Sequence, residues 1–377
     1  MRLLIVGGSG VLSSAVAKEA VNNNFHVTLI NRGHRVIPNN CHLIKSDKDD
    51  YVTIAKALKG QVFDAVIDFL CYNEEQTKRS FLFYKEFVKQ YIFISTCAVY
   101  DKTILGIKSE DSPKGLKLWS YSLNKVACEE SVLTLSKNTS TAVTIVRPCV
   151  TYDDTRIPYG IMPPYRFHWT LCARVLADKP IITWNNGMNR SNMMRVEDFA
   201  IGLIGLVGNR LSYNEAFNIC GDEMPTFNDV LDVISKKLGK EVRKINIDSD
   251  FFSNNYPEKK EEILGGRALD ATNSNEKIKR VVPAFAQKIP LSEGVSMTID
   301  AYRNNNYQKG IDWEFDGTTD RIISLWCKKQ GIKQHACVHF VDYLGNASCL
   351  DRMKYLLAYY SDWKIVRFIK KICKKYL

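Results

Sequence analysis

The sequence predicts a doubly wound α/β fold: a parallel sheet with helices on both faces, a smaller lobe, and a helical C-terminal extension. Two observations carry this. Met1–Val6 is a short apolar run, fit for a buried parallel strand, and it leads straight into Gly7-Gly-Ser-Gly10 and a helical stretch to about Asn22. Strand, glycine turn and helix together form the context of a dinucleotide-binding turn. Strand-like and helical segments then alternate to about Pro148, which is the pattern of a parallel sheet.

Each element has its own warrant. Gly7 permits the tight turn, and Gly10 lets backbone approach a pyrophosphate at the helix N-terminus. Gly7, Gly10, Val11 and Leu12 are therefore the candidate cofactor cradle of a Rossmann-type sheet. Ser13 stands where a third glycine is usual and is small enough for close packing. The second strand, His26–Ile30, ends at Asn31 and Arg32. A carboxylate at this point would hold a ribose diol. Asn31 is neutral, and Arg32 with Arg35 suits a 2′-phosphate, so the expected cofactor is NAD(P), with NADP favoured. Asp47, after the third strand, is either an acceptor for the adenine amine or a solvated loop residue.

Tyr121-Ser-Leu-Asn-Lys125 places a phenol and an ammonium one turn apart on one helix face. The ammonium favours the phenolate, which makes a proton donor or acceptor for a carbinol/carbonyl pair while a nicotinamide carries hydride. An amphipathic helix with an exposed lysine would read the same way in isolation.

Together these motifs resemble the extended short-chain dehydrogenase/reductase family, in particular its nucleotide-sugar epimerase/dehydratase branch, from Met1 to about Asn305. Tyr91–Tyr100 is similar to that family's fifth strand, with Thr96 at the catalytic Ser/Thr place and Ser95 beside it. Tyr121 and Lys125 match the catalytic pair. Val143–Pro148 and Tyr152 match the sixth strand and its exit loop. Arg195-Val-Glu-Asp198 resembles the segment that returns to the core, with Arg for the usual His.

The resemblance implies Tyr121 as acid/base and Lys125 on the nicotinamide ribose. It also implies Thr96 on the substrate oxygen, with Ser95, Tyr152 and Arg190 as substrate-side candidates, a nucleotide-sugar substrate and a homodimer through helices near Tyr121. Two departures matter. Sugar dehydratases carry Asp-Glu after the catalytic Thr, whereas this chain has Cys97-Ala98, which disfavours elimination of water. Arg190 lies one residue from the register of the family's diphosphate-binding Arg. Cys97 itself reads as a small core residue or a second acid.

Composition narrows the classes. The eleven cysteines are scattered and form no Cys-x-x-Cys, as reduced thiols in a cytoplasm would be. The six histidines show no ligand spacing, so no metal is expected. His168 reads as a pocket residue or an ordinary helix-start histidine. Met1 opens directly into a strand, so no signal peptide is expected, and no apolar run is long enough to span a bilayer. The expected location is cytoplasmic.

The expected organisation is a dinucleotide-binding domain over 1–150, rejoined near 193–222, and a substrate lobe over 151–310. Within that lobe a loop is expected around Ser253–Pro257. Residues 311–377 form an extension accessory to the catalytic chemistry. Its last helix carries Ile365, Phe368, Ile369, Ile372 and Tyr376 on one side and Lys364, Arg367, Lys371, Lys374 and Lys375 on the other. Residues 346–377 supply +6 of the chain's net +11. Such a helix suits peripheral contact with an anionic membrane at the inner face, or docking on protein.

The functional reading is an epimerase of a nucleotide-activated sugar. The alternatives are an NADPH-dependent keto-sugar reductase and a non-catalytic or RNA-binding relative. No nucleic-acid partner is expected, because over half of the excess charge sits in the tail and no aromatic-basic stacking platform is evident.

Overall fold

The computed structural model describes residues 1–305, 310–333 and 347–368. Its strands are β1 Arg2–Val6, β2 His26–Asn31, β3 Cys41–Lys45, β4 Phe63–Asp68, β5 Val88–Ile94, β6 Ala142–Pro148, β7 Val150–Tyr152, β8 Ile181–Thr183, β9 Met193–Arg195, β10 Glu215–Ile219 and β11 Lys244–Asn246. Seven of them form one parallel sheet in the order β10-β6-β5-β4-β1-β2-β3. The order reverses between β1 and β4. In such sheets ligands bind at that switch, outside the carboxyl ends of the strands.

Burial on both faces follows from the apolar runs. Leu3 and Ile5 of β1 enter one core with Val16 and Ala20 of helix α1 (Val11–Asn22). Leu4 and Val6, one residue out of phase, enter the opposite core. Alternate residues of a strand face opposite sides, so an unbroken apolar run fills both. Three helices follow on the first half of the chain: α2 Tyr51–Leu58, α3 Glu74–Tyr84 and α4 Ser120–Ser136. Phe81 and Tyr84 of α3 and Cys128 and Val132 of α4 complete the second core. Helix α5 is Trp169–Leu176, α6 is Val196–Ile204 and α7 is Phe227–Leu238. Phe199 and Leu203 of α6 join the first core.

The chain divides into two compact units. The first comprises residues 1–153, 190–225 and 269–291, and contains the sheet. The second comprises 154–189, 226–268 and the described part of 292–377. Its core joins Ile182 and Trp184 to Phe252, Ile263, Ile322 and Ile323. The stretch expected as a loop around Ser253–Pro257 instead ends a helix, Ser249–Asn255. Asp248 caps it by accepting from the Phe251 N–H, and Phe252 is buried against Trp184.

Helix Trp313–Gln330 of the extension is integral to the second unit. Its Asp316 accepts from Arg174 Nη1 and Lys179 Nζ, both at 2.6 Å, and Asp320 pairs with the same two cations at 2.9 and 2.5 Å. Arg174, Lys179 and Asp316 are all buried. Gly317 lets helix Cys349–Tyr359 approach, since a Cβ there would lie 2.5 Å from the Tyr355 carbonyl oxygen. Lys364–Phe368 is helical. Ile369, Ile372, Tyr376, Lys371, Lys374 and Lys375 of the expected last helix lie outside the described residues. Among the described residues no helix is long and apolar enough to cross a membrane.

Candidate active site

The glycine turn is shaped by bonds to its neighbours. Gly7 N–H donates to Ile30 O (2.9 Å), joining the exit of β1 to β2. Gly8 has φ +85°, and a Cβ there would meet Leu29 Cδ2 at 2.7 Å. Gly10 N–H donates to the buried Ser13 hydroxyl at 2.9 Å, so the residue at the third glycine's place binds the turn. Val11 and Leu12 open α1, whose first turn carries no acidic residue. First-turn N–H groups lack intrahelical acceptors, so this end of α1 suits a pyrophosphate.

Asn31 is used differently from a ribose-binding carboxylate. Its Nδ2 donates to Gly7 O (2.8 Å) and its Oδ1 accepts from Gly33 N–H (2.8 Å). Arg32 is exposed, and Arg35 Nη1 reaches Ser9 O across the turn at 3.3 Å. Asp47 is exposed, and its carboxylate accepts from the Asp49 N–H at 3.0 Å.

Tyr121 lies in the first turn of α4 and is 38% exposed. Its ring tilts against Trp119, with centroids 5.4 Å apart. Lys125, one turn on, is buried. Its Nζ donates to Cys71 O (2.8 Å) and Ile94 O (2.9 Å), beside the rings of Phe93 and Tyr72. Burial draws its pKa down. Two of its three protons are thereby committed at the carboxyl ends of β4 and β5. Thr96 follows β5 two residues after Ile94. Its Oγ1 accepts from Ala98 N–H at 3.1 Å, a bond that leaves the hydroxyl proton to donate.

Sequence reasoning missed the network beneath these residues. Glu129, one turn beyond Lys125, is fully buried. Arg147 of β6 grips it through Nε (2.9 Å) and Nη2 (2.8 Å), and Lys114 Nζ lies 3.2 Å away. The Ser95 hydroxyl donates to it at 2.6 Å, so Ser95 belongs to this network. Burial opposes the Glu129 charge, but Arg147, Lys114 and Ser95 outweigh it and hold the carboxyl below its usual range. Arg147 Nη1 also donates to the Tyr100 hydroxyl (2.7 Å), which donates to Asn218 Oδ1 (2.5 Å). The signal was present: Tyr121, Lys125 and Glu129 recur every four residues, and a buried strand Arg needs a partner.

The remaining candidates are dispersed. Tyr152 is buried on β7 opposite Arg195 of β9, whose guanidinium lies 5.8 Å from its ring. Its hydroxyl has no hydrogen-bond partner among the described residues. Arg190 donates from Nη1 to Met224 O at 3.0 Å. Cys97 is buried, its thiol donates to Arg147 O, and burial pushes its pKa well up, as for a core cysteine.

In the second unit, a cavity of about 450 Å³ is lined by Arg156, Tyr165, His168, Tyr256, Arg267 and Phe315, among others. His168 immediately precedes α5, and its Nδ1 accepts from Ile157 N–H at 2.9 Å. Burial, with the Arg156 charge, lowers its pKa to about 3.

The model of the NAD dependent epimerase/dehydratase family matches residues 3–220. Chloroplast stem-loop binding protein of 41 kDa b from Arabidopsis thaliana is 27% identical over 342 residues, covering 85% of this chain and 84% of that protein. UDP-arabinose 4-epimerase 1 from the same plant is 26% identical over 175 residues, 38% of this chain and 42% of that protein. The structure of UDP-glucuronic acid 4-epimerase from Bacillus cereus, in complex with UDP-glucuronic acid and NAD, aligns with a TM-score of 0.64 and 18% identity, covering 81% of this chain and all (100%) of that one.

Proposed function

This chain belongs to the NAD dependent epimerase/dehydratase family, and from that premise we propose that it epimerises a nucleotide-activated sugar. One observation carries the reading: the buried Lys125 is fixed on Ile94 O, two residues before Thr96, on the same helix face as the half-exposed Tyr121. The Gly7–Leu12 turn would hold the dinucleotide, whose nicotinamide supplies a reversible hydride acceptor. Tyr121 takes the proton of the sugar hydroxyl as the adjacent C–H bond breaks. Thr96 donates to the same oxygen. Lys125 would stabilise the phenolate and hold the nicotinamide ribose. The keto-sugar then turns over, its other face is reduced, and Tyr121 returns the proton. Arg32 and Arg35 favour NADP over NAD, and the active form is a homodimer through helices near Tyr121.

Two further readings stand beside this one. A keto-sugar reductase would use the same residues but receive its ketone from outside and consume NADPH. An RNA-binding role draws on the stem-loop binding relative and on the net charge of +11.

The test is to incubate the full chain with nucleotide sugars, NAD or NADP, and follow inversion at a ring carbon by NMR. Tyr121→Phe is expected to lower turnover by about 10² to 10⁴ while leaving cofactor binding nearly intact. Wild-type turnover by that variant would overturn the mechanism. Stoichiometric NADPH consumption with a keto-sugar would favour the reductase.

A further inference from the structure

Trp363, Ile365 and Phe368 are 59%, 64% and 64% exposed, three large apolar side chains within six residues. Single exposed apolar residues are ordinary, but a cluster of this kind marks a contact surface. The fold holds the cluster in place. Val366, among them, is buried. A chain of rings runs inward from the patch: Trp363 to Tyr360 (4.6 Å), Tyr360 to Tyr359 (4.9 Å) and Tyr359 to the buried Tyr355 (6.0 Å). Asp362 pairs with Arg321 at 2.9 Å, tying the segment to helix Trp313–Gln330.

Exposed Lys364 and Arg367 are interleaved with these apolar side chains. Exposed apolar groups with a surplus of cations complement a surface that is anionic in its polar layer and apolar beneath. We propose that residues 363–368 seat this protein on an anionic lipid surface, with Trp363, Ile365 and Phe368 entering the headgroup boundary.

Two competitors fit less well. RNA would use the cations and could stack on Trp363 or Phe368, but Ile365 has no ring to stack. A second copy of the chain would bring Lys364 and Arg367 of both copies together, and like charges repel. A lipid interface uses every feature: tryptophan and tyrosine at headgroup depth, aliphatic side chains below and cations on phosphates.

The test uses the full chain, sedimented with vesicles of phosphatidylcholine alone or mixed with phosphatidylglycerol, and in parallel titrated with a stem-loop RNA. Binding to the mixed vesicles only, released by high salt, is expected. Lys364→Glu with Arg367→Glu is expected to weaken vesicle binding by at least about tenfold, since each cation near such a surface is worth about fivefold. The triple variant Trp363→Ala, Ile365→Ser, Phe368→Ser is expected to lose binding to a similar degree, with an unchanged circular dichroism spectrum. Equal binding to both vesicle types overturns the proposal, as does salt-insensitive binding by the wild type, an arm that needs no variant. So does a correctly folded triple variant that binds like the wild type, RNA binding lost in that variant, or a dimer that it disperses.

Discussion

Leu29 leaves no room for a side chain at position 8. A Cβ on Gly8 would sit 2.7 Å from its Cδ2, and the φ of +85° strains any L side chain. Gly8→Ala is expected to cost about 2–4 kcal/mol, combining overpacking with left-handed backbone, and to lower the urea midpoint. Arg32 makes a different prediction, because it is exposed and its loss should leave stability unchanged. Arg32→Ala should weaken NADP binding about tenfold and NAD binding little, measured by fluorescence titration; equal loss for both would remove the 2′-phosphate assignment. At this scale, legibility depended on distance along the chain. Gly7, Gly10, Tyr121 and Lys125 are spaced locally, and spacing is what a sequence displays. The bonding of Asn31 was not legible, since its partner Gly7 O is 24 residues away. Nor was the commitment of Ser95 to Glu129, 34 residues on.

At the scale of elements, the apolar strands were legible because burial on both faces leaves an unbroken apolar run, as in β1. Helix Ser249–Asn255 was not. It is short, and its formation rests on the Asp248 cap and on Phe252 packing against Trp184, 68 positions earlier in the chain. The start of α5 yields a pH prediction. His168 is buried and neutral, with a pKa lowered from 6.5 to about 3. The unfolded chain therefore takes up a proton between those values that the folded chain refuses. The stability associated with neutral His168 is complete above pH 6.5 and falls as the pH drops toward 3, by up to about 1.4 kcal/mol per unit. His168→Asn keeps an acceptor for Ile157 N–H but cannot titrate. Denaturation curves of the two proteins should diverge in their pH dependence below 6.5, and parallel curves would remove the titration of His168 as the cause.

For the whole molecule, the fold was readable because its motifs stand in one order, from the glycine turn to the returning segment at Asp198. The extension was not readable as part of a core. It carries no motif, and the partners of its carboxylates lie far back in the chain, 142 residues for Arg174 and 137 for Lys179. Asp316→Asn leaves those buried cations short of charge and is expected to cost about 3–5 kcal/mol, seen as a lowered calorimetric transition. An unchanged transition would mean that Asp320 alone suffices. The same arrangement sets a timetable for synthesis. Arg174 and Lys179 leave the ribosome roughly seven to thirty seconds before Asp316, at about 5–20 residues per second. Until then the nascent second unit has two cations destined for its interior without their native partners Asp316 and Asp320. Early closure would bury both cations without those partners, which costs several kcal/mol per ion. The helix that reads as an appendage is the piece whose emergence from the exit tunnel permits closure, and a message cut short before it would yield a chain whose second unit stays open to chaperones and proteases.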